Sequence, residues 1–182
     1  MSRPAVFLDR DGTLIRDAHF IGSPDRVEIL PGAAEAICRL NAAKWPVIVV
    51  TNQSGIARGR FTVADYDRVQ RRTDQLLAAQ GAHIDATYLC PHHPDFTGPC
   101  ECRKPSTALF RQAAATLDLD LARSWYFGDK LRDVLPAREL GGHGVLIPTA
   151  ETAGSEIDQA RTEFAIAGSL DEAVARVIDS AR

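Results

Sequence analysis

Two aspartates, two residues apart and directly behind an apolar run, are the chain's first candidates for chemistry: Val6-Phe7-Leu8-Asp9-Arg10-Asp11-Gly12-Thr13. In a straight strand Asp9 and Asp11 would share a face. Gly12 permits a turn behind them without a Cβ clash, so a bend can give the two carboxylates different tasks. Such close anions repel, which calls for a cation beside them. Asp129 adds a third carboxylate, and three oxygen ligands suit Mg²⁺, which keeps waters and binds a substrate phosphate. One carboxylate can then attack phosphorus. The other can protonate the leaving oxygen and later activate water. Lys104 and the Thr51 hydroxyl suit the equatorial phosphoryl oxygens. Singly, each has a plainer reading: a turn for Asp-x-Asp-Gly, a strand end for Thr51, a solvated charge for Lys104, a helix cap for Asp129. Their joint order, each behind an apolar run or at a helix start, points to a phosphoryl-transfer site.

A second cluster is of another kind. "CPHHPDFTGPCEC" holds three of the four cysteines. Cys90 and His92 are two apart, as are Cys100 and Cys102, and two such pairs across a loop can close a tetrahedral Zn²⁺ site. Extended backbone puts His92, not His93, on the side of Cys90. Four protein ligands leave no open position, so this zinc reads as a staple shaping the loop beside Arg103 and Lys104. Cys38 sits in an amphipathic stretch and reads as core packing.

The elements that must position these groups follow from periodicity. Short apolar runs at 5–8, 47–50, 86–89, 125–127, 144–147 and 164–166 read as strands, most of them continuous, as in parallel sheets covered on both faces. Helices are expected over 31–43, with Pro31 in the first turn, from Thr62 with Asp65 as a capping box, over 105–119, and over 169–180 with Ser169 and Glu172 as a capping box. The alternation predicts an α/β fold with a doubly wound, mostly parallel, Rossmann-like sheet. Ligands bind at the carboxyl ends of such strands, where Asp9, Thr51 and Asp129 fall. Neither the gap from Thr13 to Thr51 nor that from Thr51 to Lys104 can hold an independent domain of about 50 residues, so the site is expected to be capless and open.

The length of 182 residues suits one domain over 1–182. A net charge of −3 gives no basic footprint for nucleic acid. No apolar run approaches the ~20 residues that span a membrane. The charged N-terminal stretch is unlike a signal peptide, and a cytoplasmic monomer is expected. A reducing compartment favours metal ligation over disulfides.

Taken together, "DRDGT", "VVTN", Lys104 and "GDKLRD" resemble the four ordered motifs of the haloacid dehalogenase-like superfamily of phosphohydrolases. The resemblance implies Asp9 as nucleophile and Asp11 as general acid/base, the second aspartate marking the phosphatase branch. It implies Mg²⁺ held by Asp9, Asp129 and Asp11, the last through its main-chain carbonyl, with Asp133 in support. "TNQSGIARG", "CPHHP" and "CECRKP" are similar to the zinc-loop branch, whose substrates are phosphorylated sugars and histidinol phosphate. That likeness implies removal of the 7-phosphate of a heptose 1,7-bisphosphate through an aspartyl-phosphate. Histidinol phosphate is the alternative substrate, and a non-catalytic zinc-stapled binding module is the alternative of another class. It also implies substrate contacts from Asp9, Arg10 and Asp11, from Thr51, Asn52, Gln53 and Ser54, and from Arg103, Lys104 and Lys130, with Asp17, Ala18, His19 and Phe20 lining the pocket. Relatives usually carry Asn where this chain has Ile15. His19, Arg58, Arg60 and Arg103 are candidates for a second anionic group.

Overall fold

The computed structural model describes residues 2–180, so positions 1, 181 and 182 of the expected 1–182 domain lie outside the described residues. Six strands form one wholly parallel sheet: β1 (Val6–Leu8), β2 (Val47–Asn52), β3 (Ala86–Cys90), β4 (Trp125–Gly128), β5 (His143–Leu146) and β6 (Ala165–Ile166), in the order β3-β2-β1-β4-β5-β6. Strand order reverses on the two sides of β1, and that is where a doubly wound sheet opens a crevice. β1 is locked on both sides, with Val6 opposite Val47 and Trp125, and Leu8 opposite Val49 and Phe127.

Eight helices connect the strands: α1 (Ala33–Ala42), α2 (Ser54–Ala57), α3 (Val63–Ala78), α4 (Pro94–Thr97), α5 (Ala108–Leu117), α6 (Leu131–Leu140), α7 (Gly154–Ala160) and α8 (Leu170–Ser180). The alternation of side chains along each strand divides the core. Val6, Leu8, Val47, Val49 and Phe127 pack with Ile37, Leu40, Val174 and Val177 of α1 and α8. Phe7, Ile48, Val50 and Tyr126 pack with Leu109 and Phe110 of α5 and Ala137 of α6 on the other face. Phe7 stacks on Tyr126 at 5.1 Å and meets the edge of Phe110 at 5.2 Å. Burial of each such side chain contributes roughly 1.5–3 kcal/mol, which explains why unbroken apolar runs become central strands.

All six expected strands form. The capping box of α3 is complete: Asp65 N–H donates to Thr62 Oγ1 at 3.1 Å and Thr62 N–H to Asp65 Oδ2 at 2.7 Å. Three helix starts differ from expectation, one of them α5, which begins at Ala108 and not at Pro105. Pro31 lies ahead of α1, whose N-cap is Gly32 in the left-handed region at φ +78°. At α8, Glu172 N–H donates to Ser169 Oγ, but the Glu172 carboxylate accepts from Gly168 N–H, one residue further back. Helix α6 runs through Pro136, a residue that argues against a helix when read in sequence.

Residues 9–46 hold only a short 3₁₀ turn (Pro24–Arg26) and α1, and residues 53–103 only α2, α3, β3 and α4. The described residues therefore carry no cap domain over the strand ends. Among them, no helix is long and apolar enough to cross a membrane.

Candidate active site

The sheet register brings the expected groups to one rim. Asp9 N–H still bonds the Phe127 carbonyl of β4 at 2.9 Å, after which the chain turns away. Gly12 makes the turn at φ +86°, and a Cβ there would lie 2.7 Å from Asp129 Oδ2. Only glycine combines that φ with that approach.

Lys104, buried beneath the rim, donates from Nζ to Asp9 Oδ1 at 2.8 Å and to the Val50 carbonyl at 2.6 Å. Its Nζ is also 2.8 Å from Asp133 Oδ1, an ion pair whose angles fall short of a hydrogen bond. Asn52 holds the Lys104 main chain from both sides, donating to its carbonyl at 3.2 Å and accepting its N–H at 3.0 Å. Thr51 Oγ1 accepts from Gln53 Nε2 at 2.9 Å. On the β4 side, Thr152 Oγ1 donates to the Asp129 carbonyl at 2.7 Å, and Lys130 Nζ lies 3.5 Å from Asp129 Oδ2. Asp133 Oδ2 accepts the Lys130 N–H at 3.0 Å at the start of α6.

The electrostatics of this rim call for a cation. Asp9, Asp129 and Asp133 are buried and can bring one carboxylate oxygen each within 4.8 Å of the others. Burial, then the Asp133 and Asp9 carboxylates, push Asp129 up to about 7, against Lys130 and Arg132. Burial pushes Asp9 up to about 6, with Lys104 opposing the rise and Asp133 and Asp11 adding to it. Burial also disfavours the Lys104 ammonium, but Asp133 and Asp9 outweigh it and hold that group above its usual range. Asp129 Oδ1 is buried with no hydrogen-bond partner. A desolvated carboxylate oxygen without a donor, among excess negative charge, fits a hard divalent ion.

Asp133 stands with Asp9 and Asp129 in the acidic cluster. The Asp11 carboxylate is outside this acidic cluster: it pairs with Arg10 at 3.1 Å and accepts from Gln53 Nε2. Asp11 is left its main-chain carbonyl for a cation, and Asp133 is the third acid. Arg132, at the start of α6, is a cleft residue that the sequence reading missed. Its place between the two acids of "GDKLRD" was the available signal.

Asp9, Asp11, Asp17, His19, Phe20, Asn52, Gln53, Ser54 and Lys130 line one open cleft of ≈ 140 Å³, which Arg132 also borders. Thr51 and Lys104 are buried beneath it. Three further expected substrate contacts are not in the lining. Arg10 points inward and is fully buried, because its guanidinium is taken up by Asp11 and the Tyr66 ring. Ala18 packs against the core beside its lining neighbours. Arg103 donates to the His92 carbonyl at 3.2 Å, and burial, then repulsion from Arg132 and Arg58, lower its pKa. His19 and Phe20 have φ of +46° and +56°, a left-handed pair that side chains rarely adopt and that costs backbone strain at the cleft rim.

The Cys/His cluster closes as its spacing predicts. Cys102 Sγ lies 3.0 Å from Cys90 Sγ, 3.6 Å from Cys100 Sγ and 3.2 Å from His92 Nδ1. Cys90 and Cys100 are 3.8 Å apart. Tetrahedral zinc at about 2.3 Å from each sulfur implies S···S edges of about 3.8 Å, so these four atoms suit one ion. His93 faces elsewhere: it caps α4 by accepting from Asp95 N–H and meets Arg58 at 3.0 Å. Cys38 is outside the cluster and packs against the core.

Known proteins are similar to this chain. Residues 6–74 match the family described as haloacid dehalogenase-like hydrolase, and residues 101–173 match a second family described as HAD-hydrolase-like. The chain is 39% identical over 165 residues, 87% of each protein, to the D-glycero-beta-D-manno-heptose-1,7-bisphosphate 7-phosphatase of Escherichia coli O6:H1. It is 41% identical over 145 residues, 79% of this chain and 80% of the relative, to the enzyme of that name from Bordetella bronchiseptica. The crystal structure of D,D-heptose 1,7-bisphosphate phosphatase from B. bronchiseptica, complexed with magnesium and phosphate, superposes with a TM-score of 0.87 at 34% identity, covering 97% of this chain and 99% of that one. On these matches of sequence and overall fold, the chain belongs to the haloacid dehalogenase-like hydrolase family of phosphatases.

Proposed function

We propose that the chain is a Mg²⁺-dependent phosphomonoesterase that removes the 7-phosphate of a heptose 1,7-bisphosphate. The observation that carries this reading is Asp9: a buried carboxylate at a strand end, held by Lys104, beside two further acids and at the floor of an open cleft. The activity for which the relatives are named supports the choice of substrate.

Asp9 is the nucleophile. One carboxylate oxygen bonds to phosphorus as the P–O bond to the sugar breaks, and Asp11 gives its proton to the leaving alkoxide. The aspartyl-phosphate is then hydrolysed by water, whose proton Asp11 takes, and inorganic phosphate leaves with Asp9 restored. Lys104 and the Thr51 hydroxyl neutralise and orient the phosphoryl oxygens, and Lys104 also keeps Asp9 ionised. Asp9, Asp129 and the Asp11 carbonyl would hold Mg²⁺, with Asp133 beside them. When bound, that ion neutralises the acids and the phosphoryl charge. Cys90, His92, Cys100 and Cys102 would hold a structural Zn²⁺. Asn52, Gln53, Ser54, Lys130 and the loop 17–20 contact the sugar, and Arg103 and Arg132 supply positive charge for the distal phosphate. The proposal treats 1–182 as one domain of a cytoplasmic monomer.

Phosphate release from heptose bisphosphates, histidinol phosphate and nucleotides, each with Mg²⁺, tests it. A heptose bisphosphate should exceed the others in kcat/KM by tens of fold or more. Preference for histidinol phosphate would overturn the substrate, and release from none would overturn the activity.

A further inference from the structure

Arg10 is among the largest fully buried side chains of the protein, a rare state for an arginine. It cannot reach a substrate. Its Nε donates to Asp11 Oδ2 at 3.2 Å, and its Nη2 contacts Asp11 Oδ1 at 3.2 Å and Oδ2 at 3.1 Å. Behind it, the guanidinium carbon sits 4.9 Å from the centroid of the Tyr66 ring on α3. Tyr66 is itself buried, and its hydroxyl has no hydrogen-bond partner, so its ring face is what it offers. Gln53 Nε2 also donates to Oδ2 while bonding Thr51 Oγ1.

The Asp11 carboxylate, which lines the cleft, is thus gripped by a planar fork and by an amide that meet at Oδ2. A flexible side chain just past a strand end would otherwise sample several rotamers. Arginine's rigid fork limits them in a way that the point charge of lysine cannot. A flat aromatic surface under the guanidinium limits the fork in turn.

We propose that Arg10 is a positioning residue that aims the Asp11 carboxylate at the scissile oxygen, and that Tyr66 is the platform that fixes Arg10. This rests on the reading of Asp11 as proton donor and base. It assigns α3, which contributes no residue to the cleft lining, a part in turnover.

The test separates the two half-reactions. With 4-nitrophenyl phosphate the phenolate leaves without a proton, so the first step needs Asp9 but not Asp11. Hydrolysis of the aspartyl-phosphate needs Asp11 as base. In rapid-mixing experiments with Mg²⁺, Arg10→Lys and Tyr66→Leu should release 4-nitrophenolate within about threefold of wild type. Phosphate release should slow by about thirtyfold, part of the 10²–10⁴-fold that acid–base catalysis supplies. On a sugar phosphate, kcat should fall by a similar factor with KM within about threefold. Tyr66→Phe, which keeps the ring face, should rescue the loss seen with leucine. A uniform slowing of both steps, or a lowered melting temperature with both rates intact, would make the Arg10–Asp11 pair merely structural and overturn the proposal. Asp11→Asn runs alongside. If it shows the step-selective loss and the other variants do not, the positioning role fails while the reading of Asp11 stands. If it shows none, that reading fails and the proposal falls with it. Should Arg10→Lys not fold, Tyr66→Leu and Tyr66→Phe decide the matter.

Discussion

The molecule has two clusters of metal-ligating side chains, built on opposite principles. At the Cys90–His92–Cys100–Cys102 cluster all four donors come from one short stretch and converge on each other, which leaves no room for an outside ligand. At the acidic rim the donors come from the ends of β1 and β4 and the start of α6, and they face an open cleft. The first is locally encoded and closed. The second depends on sheet register, keeps a buried oxygen without a donor, and raises the pKa of two of its acids. A closed set of ligands stabilises a fold, whereas an incomplete set leaves coordination to be finished by a substrate.

The sharpest way to break this contrast is Asp9→Asn. Turnover should fall at least ~10³-fold, because an amide is a poor nucleophile, while zinc content and melting temperature stay at wild-type values. Steady-state kinetics with elemental analysis checks it, and activity within tenfold of wild type would remove Asp9 from its role. Cys100→Ser should do the reverse. It should lose the roughly one zinc per chain and lower the melting temperature by ~5 °C or more, because the binding energy of a structural metal is folding energy. Protein purified without chelator that contains no zinc would refute the closed site outright.

Arg103 touches both regions, lying next to Lys104 in sequence and donating to the His92 carbonyl. Arg103→Ala should cost ~2 kcal/mol in kcat/KM on a heptose bisphosphate, or tens of fold, but much less on an aryl phosphate. Equal losses on the two substrates would place Arg103 in the chemistry or the staple instead of in selectivity. The smallest effect is expected at Thr152, whose hydroxyl fixes the Asp129 carbonyl. Thr152→Val removes a bond of ~1 kcal/mol and should weaken Mg²⁺ activation about fivefold without changing zinc content. A Mg²⁺ titration of activity and of thermal stability measures this, and an unchanged midpoint would detach Thr152 from the acidic rim.

Legibility in the sequence followed the same division. The staple was readable to the choice of His92 over His93, because period-two geometry acts over a few residues. Asp9, Thr51, Lys104 and Asp129 were readable as strand-end or helix-start groups once the β-α alternation was drawn. The fate of side chains was not. Asp133 joins the acids, and Asp11 leaves them, only because Lys104 reaches across from the turn before α5 and Arg10 finds Tyr66 on α3. Asn52 lines the cleft and also holds the Lys104 main chain, a second tie that no local pattern displays. Helix α6 carries Pro136, whose local preference the packing of Val134 and Ala137 overrides.

The register of β1 has a metrical consequence. Adjacent strands lie about 4.8 Å apart, so the groups carried by β2, β1 and β4 are set on a scale of fixed divisions whose total span is about 10 Å. That span accommodates a phosphoryl group and an ion, and nothing larger. The sheet therefore measures one group of the substrate in the same way for any molecule that enters. Everything that tells one molecule from another is left to loops that can change length without disturbing the scale.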